Sequence, residues 1–249
     1  MKYWLGMLTL LLSISATAAN LRVAVSANFK PVLEHLAEQF MRQTGHRVSI
    51  SSASTGVLYH QIMHGAPFDL FFSADQTRPL KLENNGRALP DSRRTYAYGR
   101  LVLWDRTEHK SPFAIEQLKD WQGKLAIANP ATAPYGLAAK QSLEKSGLWQ
   151  SYQGRLVQGA NIQQTWQFVA SGNVDMGLVA LSQLSGNELK RITYVPDRLY
   201  DPVRQDMVIL KRTEHKKIAQ AFSTFVLSVS SQKYIAEHGY FPAIKDRAK

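Results

Sequence analysis

The stretch VAVSANFKPVLEHLAEQF, Val23 to Phe40, changes its period halfway along. A β-branched run ends at Ser26-Ala27-Asn28, and from Pro31 onward Val32, Leu33, Leu36 and Phe40 fall on one face of a helix. Pro31 fits a first helical turn, where its missing N–H costs nothing. Asn28 therefore stands where a helix exposes N–H groups that have no partner within the helix.

The same alternation repeats down the chain. Strands are expected at 21–27, 46–54, 68–75, 100–105, 124–130, 174–181, 191–196 and 205–210. Helical periodicity lies between them, at Leu58 and Ile62, from Leu137 to Lys145, at Ile162, Trp166 and Val169, and at Ile218, Phe222 and Phe225. Strand and helix in alternation specify an α/β protein with mixed, mostly parallel sheets flanked by helices. The segment from Thr77 to Arg94 reads as polar and turn-rich, a fresh apolar run, YAYGRLVLW, begins at Tyr96, and a boundary between lobes is expected near Tyr98 to Arg100. With a second crossing at Tyr200 to Asp206, the expected organisation is one lobe of 19–99 plus 204–249 and a second of 100–203.

Residues 1–18 have Lys2 at the front, an apolar run from Trp4 to about Leu12, and small residues up to Ala18, the layout of a cleaved signal peptide. No later run approaches the roughly 20 apolar residues of a spanning helix, so the expected product is soluble and periplasmic. The chain has no cysteine, which excludes disulfides and a lipid-modified cysteine. A net charge of +11 suits anionic partners. The basic residues are scattered without interleaved aromatics, which points away from nucleic acid.

Four strand-to-helix junctions share one chemistry. They are Ala27-Asn28-Phe29; Ser54-Thr55-Gly56; Pro134-Tyr135-Gly136; and Asn161-Ile162. Each offers free N–H groups at the positive end of a helix dipole, which binds anions without formal charge. None contains a carboxylate, as suits a fully ionised oxyanion that wants only donors. Ser, Thr and Asn are also good helix caps, which is the plainer role for each residue taken singly.

These junctions sit inside motifs that cover nearly the whole chain after residue 18: VSANF, SSASTGVLYHQI, HGAPFDLFFSAD, ANPATAPYGLAAK, SGNVDMGLVAL and DPVRQDMVIL. In this order they resemble the periplasmic molybdate-binding proteins of ABC importers. The resemblance implies a two-lobed, class II periplasmic binding protein fold with a ligand cleft between the lobes. It also implies a receptor for molybdate, with tungstate as a second ligand, that is monomeric, uses no cofactor, and delivers its anion to a membrane permease and ATPase. Carried over residue by residue, it assigns the anion to Asn28, Thr55, Tyr135 and the Ile162 N–H, with Ala27, Ser54, Gly136 and Asn161 as a possible further shell. The Asn28 side-chain amide is expected to face the anion. Relatives with alanine at the third junction bring a tyrosine at the place of Ala180; Tyr135 is expected to supply the phenol instead.

Other constellations carry less. His60 and His64 are spaced for a metal, but no third ligand accompanies them. Asp69 and Asp75 bracket a strand and would lie about 20 Å apart if extended, too far for paired acid/base work. There is no G-x-S-x-G and no phosphate loop. The competing functions are a receptor for sulfate, phosphate or an organic acid, and an exported enzyme with Asp75 or His60 as its catalyst. Trp121, Trp149 and Trp166 are expected to serve packing.

Overall fold

The computed structural model describes residues 19–107 and 115–243. The expected signal peptide, residues 1–18, and the last six residues of the first expected lobe lie outside them. The alternation predicted from sequence is present as two mixed sheets. The first runs in the order β11-β4-β10-β3-β1-β2, from β1 (Asn20–Ser26), β2 (Arg47–Ala53), β3 (Leu70–Phe72), β4 (Arg94–Gly99), β10 (Val203–Ile209) and β11 (Phe241–Pro242). The second runs β7-β6-β8-β5-β9, from β5 (Leu101–Asp105), β6 (Leu125–Ala128), β7 (Leu156–Gly159), β8 (Met176–Ala180) and β9 (Ile192–Tyr194).

Parallel pairing is confined to the strands joined by helices, β2-β1-β3 and β7-β6-β8. Strands beside the crossings, β10, β4, β5 and β9, pair antiparallel. The antiparallel share is thus larger than the alternation alone suggests, because each passage between sheets delivers a strand running the opposite way. The passages lie side by side: β4 leads into β5 through Arg100, and β10 begins at Val203, which pairs with Gly99. Arg100 lies between the two sheets, its guanidinium carbon 4.5 Å from the Tyr194 ring centroid on β9 and 4.3 Å from that of Phe241 on β11.

Helix α1 (Lys30–Thr44) buries Val32, Leu33, Leu36, Ala37 and Phe40 against the first sheet. It ends at Gly45, whose φ of 72° is the left-handed conformation that glycine adopts without strain, and the Gly45 N–H bonds to the Met41 carbonyl. Helix α7 (Lys216–Val226) packs Phe222 and Phe225 on Phe40. Trp121 and Trp149 pack on the core of the second sheet, and Trp166 stacks on Trp104. The segment after Thr77 contains helix α3 (Thr77–Asn84), where turns were expected. Only Pro79 and Leu82 of α3 are buried, so it carries too little periodicity to be read from sequence. Among the described residues no helix is long and apolar enough to cross a membrane.

Candidate functional site

The carboxyl ends of the parallel strands from both sheets point into one cleft, and the helices that follow begin there. After β1 comes α1; after β2, helix α2 (Thr55–Met63); after β6, helix α4 (Pro134–Lys145); after β7, helix α6 (Ile162–Ala170). A cavity of about 10 Å³ lies among their first turns, lined by Ser26, Ala27, Asn28, Ser54, Thr55, Ala74, Ala133, Pro134, Tyr135, Asn161 and Ile162. All four junctions named from sequence meet in it. Of the eight residues assigned there, only Gly136 is outside the lining.

The polar side chains lining this cavity are hydroxyls and the amides of Asn28 and Asn161, and no carboxylate lines it. Among the described residues, the N–H groups of Asn28, Thr55, Tyr135 and Ile162 donate to no protein acceptor. Gly136 explains how α4 comes so close: a Cβ there would lie 2.3 Å from the Ala128 carbonyl oxygen at the end of β6. Ser54 is 4% exposed, and its Oγ has no hydrogen-bond partner. An unpaired buried hydroxyl costs on the order of 1–3 kcal/mol, so its position in the lining is informative.

Thr55 is 1% exposed, and its Oγ1 bonds to Ser26 Oγ. The Ala74 N–H donates to both oxygens, at 3.0 Å to Ser26 and 3.1 Å to Thr55. One hydroxyl proton lies between the two oxygens, which leaves the other free to donate. Ser26 was not assigned a role from sequence; as the last residue of β1, it reads there as part of the strand.

Two assignments change in detail, those of Asn28 and Ala27. The Asn28 amide does not face the cavity as a donor, because its Nδ2 hydrogens go to Gln205 Oε1 at 2.9 Å and Tyr240 Oη at 3.1 Å. What this junction offers a ligand is the Asn28 backbone N–H. The Ala27 N–H is taken by the Ala53 carbonyl, 3.1 Å away, and the Asn161 side chain caps α6 by accepting from the Gln164 N–H at 3.0 Å. Tyr135 is fully buried, and its Oη accepts from Gln205 Nε2 at 3.2 Å. Ala180, at the end of β8, gives its N–H to Gln183.

The cavity is closed by bonds between the two halves of the molecule. The Gly56 N–H donates to the Thr132 carbonyl at 2.8 Å, and Arg78 Nη2 donates to the Ala131 carbonyl at 3.1 Å. Arg78 is held by Asp75, which also accepts the Arg78 N–H at 2.9 Å. Asp75 thus organises its loop, while Asp69 accepts from Thr213 and from the Arg22 N–H. The two carboxylates serve separate structural tasks.

Burial, above all, pushes the phenols of Tyr96, Tyr135 and Tyr240 above the ordinary tyrosine value. They stay neutral near pH 7, and Tyr135 is the only titratable side chain in the lining.

Residues 21–241 match the family model of bacterial extracellular solute-binding proteins. The molybdate-binding protein ModA of Azotobacter vinelandii is 43% identical over 92% of this chain and 93% of its own length. ModA of Rhodobacter capsulatus is 38% identical over 92% and 91%. The solved structure of the Azotobacter vinelandii periplasmic molybdate-binding protein superposes with a TM-score of 0.82 at 40% identity, covering 88% of this chain and 98% of that one. The sulfate-binding protein SubI of Mycobacterium tuberculosis superposes at 0.74 with 15% identity over 92% and 88%, a likeness of fold alone.

Proposed function

This chain belongs to the bacterial extracellular solute-binding protein family, and from that premise we propose that it is a periplasmic receptor that captures molybdate. The observation that carries the proposal is the convergence of four helix starts, without a carboxylate, on one small closed cavity. Such a site suits a compact, fully ionised oxyanion and leaves no room for the body of an organic acid. Two ModA relatives above 35% identity over nine-tenths of the chain support molybdate over sulfate within a fold that serves both.

In this proposal the Asn28, Tyr135 and Ile162 N–H groups, the Thr55 and Ser54 hydroxyls and the Tyr135 phenol surround the anion, with Gly136 giving α4 its approach. Residues 1–18 are a cleaved signal peptide. Residues 19–99 plus 204–249 and residues 100–203 form two lobes that close over the ligand. Tungstate, with the same charge and shape, binds the same donors. The monomeric, loaded receptor delivers its anion to the permease and ATPase of an importer, and the site serves binding and not turnover. Sulfate has shorter bonds, so its oxygens cannot reach all the donors together.

Thr55 tests the placement. Thr55→Val keeps the shape and removes the hydroxyl, and is expected to weaken molybdate binding about tenfold to a hundredfold, the cost of about 1–3 kcal/mol for one hydrogen bond to a charged group. Thr55→Ser is expected to retain affinity. Calorimetric titration of both variants reads the difference, and unchanged affinity in Thr55→Val would remove Thr55 from the site.

A further inference from the structure

Gln205 lies outside the cavity lining, is 0% exposed, and makes a hydrogen bond that joins the two sides of the site. It stands on β10 just after the chain returns to the first sheet, at a shift of register between Gln205 and Asp206. Its Oε1 accepts from Asn28 Nδ2 and from Tyr96 Oη, each at 2.9 Å, and its Nε2 donates to Tyr135 Oη across the two halves.

From its Asn28 end the chain of bonds runs in one direction, and on the far side of Gln205 the single proton of Tyr96 Oη is shared between the Ser73 carbonyl, 3.0 Å away, and Gln205 Oε1. The backbone carbonyl of Asn28 can only accept, so the Tyr240 hydroxyl, 2.9 Å away, must donate to it. Tyr240 Oη has no second proton and must accept from the Asn28 side chain, which fixes Nδ2 toward it. The same Nδ2 meets Gln205, which must present Oε1, and Gln205 Nε2 is then turned to Tyr135. The Tyr135 oxygen accepts there, so its own proton is released from that side and is free for an acceptor in the cleft. The buried Ser182 hydroxyl makes no hydrogen bond to either Tyr135 or Tyr240, so it takes no proton from this chain.

We propose that Gln205 is a positioning residue that ties closure of the molecule to anion capture, by holding Tyr135 across the cleft with its phenol proton free to donate. The proposal rests on the molybdate reading for its affinity arm only. Gly99 supports the geometry, since a Cβ there would lie 2.0 Å from Tyr135 Oη and 2.7 Å from Gln205 Nε2, leaving glycine as the residue that admits this bond.

Two measurements test it on the full exported chain. The first is a double-mutant cycle of Gln205→Leu and Tyr135→Phe, with Gln205→Glu as the polarity reversal, read by titration with sodium molybdate. Gln205→Glu still accepts from Asn28 and Tyr96 but obliges Tyr135 to donate to it, and is expected to lose at least thirtyfold in affinity. Gln205→Leu and Tyr135→Phe are each expected to lose about tenfold, and the double variant no more than about twofold beyond the worse single one. The second needs no anion. The chain has no cysteine, so spin labels on cysteines introduced at exposed Glu38 and Gln150 report the distance between the halves. Without ligand, Gln205→Leu and Tyr135→Phe are expected to lengthen that distance alike. Fully additive affinity losses, wild-type affinity in a folded Gln205→Leu protein, or equal distance distributions in all proteins would overturn the proposal. If wild type takes up no molybdate, or neither Gln205 variant folds, the distance in Tyr135→Phe against wild type still decides it.

Discussion

Ser54 separates a ligand role from a structural one more cleanly than any other residue in the cavity. Its buried hydroxyl is unpartnered within the protein, so removing it takes away no internal bond and relieves an unsatisfied group. Ser54→Ala is therefore expected to hold or raise the melting temperature while weakening molybdate binding about tenfold; a lower melting temperature with unchanged affinity would make the hydroxyl a structural group. The tyrosines give a second expectation at this scale. Tyr135 alone could titrate in the lining, and burial holds its proton, so affinity should stay flat from about pH 6 to 9. Stability behaves differently at the alkaline end. With folded pKa values raised above the unfolded value of about 10, the unfolded chain releases phenol protons first, so stability is full below about pH 10 and declines as pH rises through the raised values. Thermal unfolding across pH 7 to 11 measures this, and an affinity that titrates near neutrality would contradict the assigned lining.

At the scale of elements, the site is a set of helix starts held at fixed distances by the strands before them. Gly136 is the tightest of these joints, so Gly136→Ala should push the first turn of α4 off β6 and lower affinity at least tenfold, with a smaller effect on stability; binding like wild type would show that α4 does not need this approach. Much of this scale was legible in the sequence. The α1 face from Val32 to Phe40 and the Asn161 cap of α6 depend on near neighbours in the chain, and local pattern carries them. Helix α3 was not legible, because two buried residues give no stripe, and β7 was missed because it is a four-residue edge strand, half exposed. Nor were the roles of Gln205, Tyr240 and Ser26. Gln205 and Asn28 are 177 positions apart, and the amide orientation of Asn28 follows from a tyrosine 212 positions away. Local pattern marks Asn28 as important at its junction but cannot say which way its amide turns.

At the scale of the whole molecule, two sheets joined by adjacent crossings enclose a site that neither completes alone. Asn28 and Thr55 come from one half and Tyr135 and Ile162 from the other, so under the proposed function capture requires both halves to come together. The donors are neutral, so the net charge of +11 can draw anions toward the protein but cannot choose among dianions of similar shape. In the proposed receptor, selection falls to distance, through how many oxygens reach the proposed donors. The most direct test is calorimetric titration of the protein lacking residues 1–18 with molybdate, tungstate, sulfate and phosphate at neutral pH. One-to-one binding of molybdate and tungstate, with sulfate and phosphate at least a thousandfold weaker, is the predicted result. Equal affinity for sulfate, or no binding of molybdate, would contradict an oxyanion site selected by size.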